Sequence, residues 1–398
     1  MQCMSAQPQA GSWRRPMLAR DPGEEHRTAT ALELFFDLCF VVAVAQASAG
    51  LHHAVVDDHA AQGVVGYIGA FFAIWWAWMM FTWFASAYDN DDIGYRLATL
   101  VQIAGVLILA AGVPRAMDGA DFGVITLGYV VMRLAMVVQW LRAARADNRW
   151  RATCLRYAAG ITVAQVGWVA RLAIADQRWA RVAQVALILF ELAVPIWAER
   201  GPMTPWHPRH IAERYGLFTL IVLGESLLAA TVAVQSALDD DTAVGELATV
   251  AAGGLLTVFG MWWLYFAKGP PPRLVTQRAG WVWGYGHYVV FASAAAVGAG
   301  LAVNVDHAAG QAHIGERLAG AAFTVPAAVF LLTVWALQLR PHHVGIWGTW
   351  RAAVVPLAAG AVVAATGTPQ PVLVTGVIVV AAIAVNLAVP AARAEPVS

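Results

Sequence analysis

The sequence predicts an all-α protein, a polytopic transmembrane helical bundle of about twelve spans. Three observations predict it. Hydrophobic residues make up 60% of the chain and charged residues only 13%, whereas a soluble domain carries about 25% charge. The apolar residues come in long blocks, and a block of about 20 crosses the hydrocarbon as one helix. Basic residues then fall on alternate connections, as membrane insertion requires.

The blocks place spans at 33–51, 63–84, 97–114, 122–141, 155–174, 181–198, 214–236, 247–266, 284–303, 319–339, 350–367 and 371–389. Each must satisfy its own backbone hydrogen bonds, because no water is available at that depth. The first follows a polar stretch, residues 1–31, that has no apolar core of a cleavable signal, so this span is expected to be retained. The sixth span is short, and only Gly367-Thr-Pro-Gln-Pro371 separates the last two. The expected organisation is a cytoplasmic tail (1–31), six-helix halves at 32–200 and 201–390, and a short tail (391–398).

With the N-terminus inside, eighteen basic residues fall on the cytoplasmic side: Arg14, Arg15, Arg20, Arg27, Arg96, Arg142, Arg145, Arg149, Arg151, Arg200, Arg209, Arg214, Lys268, Arg273, Arg278, Arg340, Arg351 and Arg393. Only four, Arg115, Arg178, Arg181 and Arg317, fall on the other side. That asymmetry puts both termini in the cytoplasm. Trp140, Trp150, Trp179, Trp197, Trp281, Trp283 and Trp350 fall at span ends, where interfacial tryptophans concentrate.

The halves share features. Glu33-Leu-Phe-Phe-Asp37 opens the first span and Glu213-Arg-Tyr-Gly-Leu-Phe218 the seventh; Trp75-Trp76 lies in the second and Trp262-Trp263 in the eighth. Six spans separate the copies, so they would insert in the same direction, as a parallel six-plus-six repeat. Ala294 and Gly298, four apart, would allow close helix packing in the ninth span.

Charges at bilayer depth are costly and mark function or a structural pair. Arg133, Glu191 and Glu225 fall near the middle of the fourth, sixth and seventh spans. Glu33 and Asp37 are i, i+4 and share a helix face. His287 begins the ninth span. A functional reading makes these the lining of a substrate or ion pathway. A structural reading makes Arg133–Glu225 or Arg133–Glu191 a permanent bridge, and spacing does not choose between the two acids. Asp89, Asp91, Asp92, Arg96, Glu213 and Arg214, with Glu33 and Asp37, form a charged cytoplasmic edge. Its carboxylates could hold Mg²⁺ or Ca²⁺, could pair with Arg96 and Arg214 in a solvated turn, or could gate the two halves.

Much is excluded. Basic and acidic residues balance at 25 each, which gives no electrostatic footprint for nucleic acid. Cys3, Cys39 and Cys154 have no metal or disulfide spacing. The histidines at 52, 53, 59, 207, 210, 307, 313, 342 and 343 form no tight ligand motif. No cofactor signature is present. Gly224-Glu-Ser226 is followed by Leu228 where a nucleophile elbow needs glycine.

Several motifs together resemble the bacterial low temperature requirement protein A family. They are Glu33-Leu-Phe-Phe-Asp-Leu38, Tyr88-Asp-Asn-Asp-Asp92 with Tyr95-Arg96-Leu97, Gly128-Tyr-Val-Val-Met-Arg133, Glu213-Arg-Tyr-Gly-Leu-Phe218, Ile221-Val-Leu-Gly-Glu-Ser226, Trp262-Trp-Leu-Tyr-Phe266 and Tyr285-Gly-His287. They run in family order from about residue 30 to 305; beyond that the likeness is in hydrophobicity alone. The resemblance implies a multi-pass protein of the bacterial inner membrane, and it implies no particular reaction. Relatives often carry an acid just after the Trp-Leu-Tyr-Phe stretch, where this chain has Ala267 and Lys268. A transporter or permeation pathway for a small solute or ion is the leading expectation. A membrane-embedded enzyme acting on lipid, or a non-catalytic sensor or scaffold, are the alternatives.

Overall fold

The computed structural model describes residues 15–24, 27–119, 121–201, 203–239, 244–269, 274, 276–342 and 345–388. Cys3, Arg14, Arg273, His343, Arg393 and the 391–398 tail lie outside the described residues. Within them the chain is all-α, with twelve α-helices: α1 (Ala31–Val56), α2 (Ala60–Tyr88), α3 (Ile93–Gly119), α4 (Gly123–Ala146), α5 (Arg151–Arg171), α6 (Gln177–Ala198), α7 (Pro208–Asp239), α8 (Val244–Phe266), α9 (Gln277–Ala308), α10 (Glu316–Val334), α11 (Gly345–Ala364) and α12 (Pro371–Ala388). Each expected span coincides with one helix. A π-helical stretch, Trp335–Leu339, extends α10.

Nine of the described helices, α1–α4 and α6–α10, are long and apolar enough to cross a membrane, and α11 and α12 contain shorter apolar stretches. The helix that falls short is α5, not the short sixth span. Its hydropathy is spent on Arg156, Gln165 and Arg171, whose side chains bond to α6. Outward surfaces are apolar: on α6, Val182, Val185, Leu189, Phe190 and Ile196 are 40–61% exposed. Water does not tolerate so large an apolar face; lipid does. The chain is a multi-pass membrane protein.

Two compact units divide the chain. The first comprises residues up to Ala43, Trp76–Arg115 and Asp121–Glu213, and the second Val44–Trp75, Ala116–Ala120 and Arg214 onward. The boundary passes through α1 and α2, so the units do not follow the sequential halves. In unit 1, α5 packs between α4 and α6. Gly105 of α3 and Gly128 of α4 bring those two backbones together: a Cβ on Gly128 would lie 2.6 Å from the Gly105 carbonyl oxygen. Trp140 stacks on Tyr157 with centroids 4.2 Å apart. Trp140 and Trp283 are 3% exposed, so these two are core residues and not interfacial anchors, whereas Trp179 and Trp197 are exposed. In unit 2, α9 packs on α10 and α8 on α12. The Ser226 hydroxyl of α7 donates to the Ala294 carbonyl of α9 at 3.1 Å, over Gly298.

The six-plus-six repeat is not confirmed. Its matching motifs sit in unlike surroundings: Trp75 and Trp76 are 2% and 0% exposed, whereas Trp262 and Trp263 are each 45% exposed.

Replacing Gly128 with alanine is expected to destabilise the protein by about 1–3 kcal/mol, since the obstacle is backbone and cannot rotate away. Gly224→Ala, with nothing within 4 Å of the added carbon, is the control and should be neutral or slightly stabilising. Melting temperatures of the two purified variants check this.

Candidate functional site

The first motif explains itself on α1. Glu33, Phe36, Asp37 and Phe40 are 0–1% exposed, while Leu34, Phe35 and Leu38 are 40–55% exposed. The i, i+3/i+4, i+7 spacing turns the two carboxylates inward and the leucines and Phe35 outward, the inverse of a soluble amphipathic helix. Thr30 and Glu33 form a reciprocal capping box: Glu33 N–H donates to Thr30 Oγ1 at 3.3 Å, and Thr30 N–H to Glu33 Oε2 at 2.7 Å. Asp37 Oδ1 accepts from Trp78 Nε1 at 2.6 Å.

Around Glu33 lies a buried ionisable cluster. Arg27 Nη2 is 3.4 Å from Glu33 Oε1 and 3.5 Å from Asp89 Oδ2, and it also donates to the Ala85 carbonyl at 3.3 Å. His210 Nε2 lies 3.1 Å from the same Glu33 oxygen. His207 accepts the His210 N–H on Nδ1 (3.2 Å), which leaves its Nε2–H to donate to the Glu24 carbonyl at 2.9 Å. One buried guanidinium thus faces two buried carboxylates. Burial, and then the Glu33 charge, push the Asp89 carboxyl up to about 6, against the pull of Arg27.

The acidic turn between α2 and α3 does not converge on one point. Asp89 faces Arg27. Asp91, in a left-handed conformation (φ 49°), makes an exposed bridge to Arg96 at 2.7 Å. Asp92 turns inward to Arg142 Nη2 at 2.6 Å, accepts from Arg15 N–H, and caps α3 through the Tyr95 N–H at 2.6 Å. Burial acts to raise the Asp92 carboxyl, but these donors outweigh it and hold the group below its ordinary range. Three carboxylates are matched to three arginines, which leaves them poorly arranged to share a cation. No group of three or more potential metal ligands occurs among the described residues. The segment before α1 is fastened to this edge: Arg20 N–H donates to the Ala87 carbonyl at 2.9 Å, and Ala19 N–H to Asp147 at 3.0 Å.

The second centre of unit 1 lies at mid-span. Glu191 of α6 is fully buried and accepts four donors. Arg133 Nη2 and Tyr129 Oη of α4 approach one oxygen at 3.1 and 2.8 Å; Trp168 Nε1 and Gln165 Nε2 of α5 approach the other at 3.1 and 3.4 Å. Glu191 is therefore the acid that faces Arg133. The carboxylate joins three helices. Arg133, 2% exposed, keeps Nε and Nη1 without a hydrogen-bond partner among the described residues.

The remaining expected residues belong elsewhere. Glu213, the last residue of unit 1, is half-buried. In unit 2 Arg214 is fully buried and Glu225 is half-buried on α7. His287 of α9 is fully buried: Nδ1 faces the Trp283 carbonyl at 2.7 Å and so must donate, and Nε2 faces the Tyr265 hydroxyl at 3.0 Å. An apolar cleft of about 500 Å³ opens beside Val64, Tyr67, Tyr288, Ala292 and Val325. Its tyrosine hydroxyls are already tied to the Ala292 and Ile68 carbonyls, so it presents little to a polar solute.

Comparison with known proteins agrees with the family resemblance of the motifs. The family described as bacterial low temperature requirement A protein (LtrA) matches residues 28–388. The chain belongs to the LtrA family. The match continues well past residue 305, where the individual motifs end. A relative named "Uncharacterized protein RA0937", from Rhizobium meliloti (strain 1021), is 27% identical over 260 residues, 63% of this chain and 61% of that protein. The chain thus spans less than two thirds of the relative's length.

In this LtrA chain the family motifs divide between the units: 33–38, 88–97 and 128–133 belong to unit 1, and 214–218, 221–226, 262–266 and 285–287 to unit 2. Motif reading missed Arg27, His210, Arg142, Tyr129, Gln165 and Trp168 as site residues. Thr30-x-x-Glu33 was the one local signal available, as a capping box. The others meet their partners only through the fold.

Two outcomes follow for unit 1. Glu191→Ala leaves the Arg133 guanidinium buried with its acceptor gone and should cost about 3–5 kcal/mol, whereas Glu191→Gln, which keeps an acceptor oxygen, should cost less; thermal melts of both variants decide it. Asp89 binds a proton more tightly folded than unfolded (about 3.9), so its contribution is full at low pH and is lost as pH rises from about 4 to about 6. The melting temperature of the wild type should fall over that window relative to Asp89→Asn, and the gap should then level off. A gap independent of pH would refute the assignment.

Proposed function

We propose that this LtrA protein resides in the bacterial inner membrane with both termini cytoplasmic, and that it passes a small solute or ion through unit 1 at the Arg133–Glu191 centre. The single observation that carries the reading is the guanidinium of Arg133. It is buried at mid-span, yet only Nη2 is matched by Glu191. Nε and Nη1 remain as donors for a carboxylate, an inorganic anion or a water chain. Leaving such donors permanently unmatched is costly, which supports a transient acceptor. The orientation is supported by the helix order: Arg20, Arg27, Arg142, Arg145, Arg149 and Arg200 all fall on the edge of unit 1 that also carries the α2–α3 turn.

One observation favours a different reading. The four donors on Glu191 make a strong clamp across α4, α5 and α6, which suits a rigid scaffold or sensor.

Transport assays separate the two. Purified protein in proteoliposomes should give solute-dependent or ion-dependent charge movement on a panel of small organic anions, halides and monovalent cations. The double variant Arg133→Gln, Glu191→Gln removes the charges while keeping hydrogen-bonding groups. It should fold and lose at least about tenfold of the signal. A wild type silent on the whole panel, with the double variant supporting growth in the cold as well as wild type, would leave the scaffold reading.

A further inference from the structure

Of the 25 lysines and arginines in this chain, Lys268 alone is lysine. It stands two residues beyond the end of α8 and is exposed. Just before it, α8 ends in Trp262, Trp263 and Phe266, which are 45%, 45% and 39% exposed. Together with Ile383 and Leu387 of α12, which packs on α8, these residues and Lys268 line a recess of about 460 Å³. The charged side chains at this end of the lining helices are basic. Arg340 is exposed next to Leu339, another lining residue, and the His342 ring reaches the Gly269 carbonyl at 3.2 Å. No aspartate or glutamate occurs in 247–305 or in 317–394, the stretches that carry the lining residues.

We propose that this recess binds one anionic phospholipid, with the phosphate on the Lys268 ammonium and an acyl chain along Trp262, Phe266, Ile383 and Leu387. A compact ammonium suits a phosphate as a point charge. Exposed tryptophans suit the depth of the headgroup. Juxtamembrane cations are drawn to anionic over zwitterionic lipid. A free phosphate would use the lysine and leave the aromatic wall idle. A lysine that merely complements the C-terminal pole of α8 would be indifferent to lipid charge.

Having one lysine makes the test clean. Full-length protein carrying Arg200→Lys, an exposed position of unit 1, is placed in vesicles of phosphatidylcholine alone or of phosphatidylcholine with phosphatidylglycerol, and labelled with an amine-reactive reagent. Peptide mass spectrometry then gives the ratio of labelling at Lys268 to that at the introduced amine, which cancels the general effect of surface potential. Phosphatidylglycerol should lower that ratio several-fold, and inorganic phosphate should not. In parallel, phosphatidylglycerol should raise the melting temperature of wild type more than that of Lys268→Gln, with Lys268→Arg between them. An unchanged labelling ratio, equal protection by inorganic phosphate, or a phosphatidylglycerol stabilisation unaltered in Lys268→Gln would each overturn the proposal.

Discussion

Glu191 takes four hydrogen bonds because nothing else at its depth could supply them. Hydrocarbon solvates neither a carboxylate nor a guanidinium, so each ion in a span must find counter-charge and donors from neighbouring helices. That requirement accounts for much of unit 1. It places Arg133 and Tyr129 one turn apart on α4, aims Gln165 and Trp168 from α5, and lets α5 be too polar to qualify as a span by hydropathy. A helix that gives its polar groups to a buried partner looks weak in a hydropathy scan and is still essential to the packing.

The edge of unit 1 obeys the same rule with a different result. Arg27 reaches both Glu33 and Asp89, and burial, followed by the Glu33 charge, raises the Asp89 carboxyl against the pull of Arg27. Asp92, with an arginine and two backbone donors, shifts the other way. Two aspartates three residues apart on one turn therefore hold their protons differently: burial and then the Glu33 charge dominate at Asp89, whereas the donors outweigh burial at Asp92. An ion-binding loop would instead turn its carboxylates toward a shared point; here Asp91 and its positive φ separate them.

What could be read from the sequence depended on the range of the interaction. The helices were legible because an apolar block of span length is a property of consecutive residues. The shared face of Glu33 and Asp37 was legible because helical periodicity fixes it. Arg133 and Glu191 could be recognised as costly, but their pairing could not be chosen over Arg133 and Glu225, since 58 residues separate the partners. Arg27 and His210 were read as a loop charge and a loop histidine. They reach Glu33 only when the pre-helix segment and the start of α7 are folded against α1. The apparent repeat shows the opposite hazard: Trp75-Trp76 and Trp262-Trp263 are the same letters, but one pair is buried and the other is exposed.

The two units differ in the groups they carry. Among the described residues, unit 1 gathers buried ionisable groups around Glu33 and around Glu191. Unit 2 has few acids along its spans, and its deeply buried His287 is satisfied by a carbonyl and a tyrosine hydroxyl. Its distinctive surfaces, the apolar cleft beside Tyr67 and Tyr288 and the aromatic recess beside Lys268, are suited to hydrocarbon. A protein that moved a polar solute would need protein-lined polar groups at depth, and among the described residues unit 1 brings Arg133, Glu191, Tyr129 and Gln165 together. A protein tuned by its bilayer would need lipid-facing recesses of defined shape and charge, and unit 2 has them. The two proposals thus draw on different physics in different parts of the chain, and removing the charge of Lys268 leaves the Arg133–Glu191 centre chemically intact.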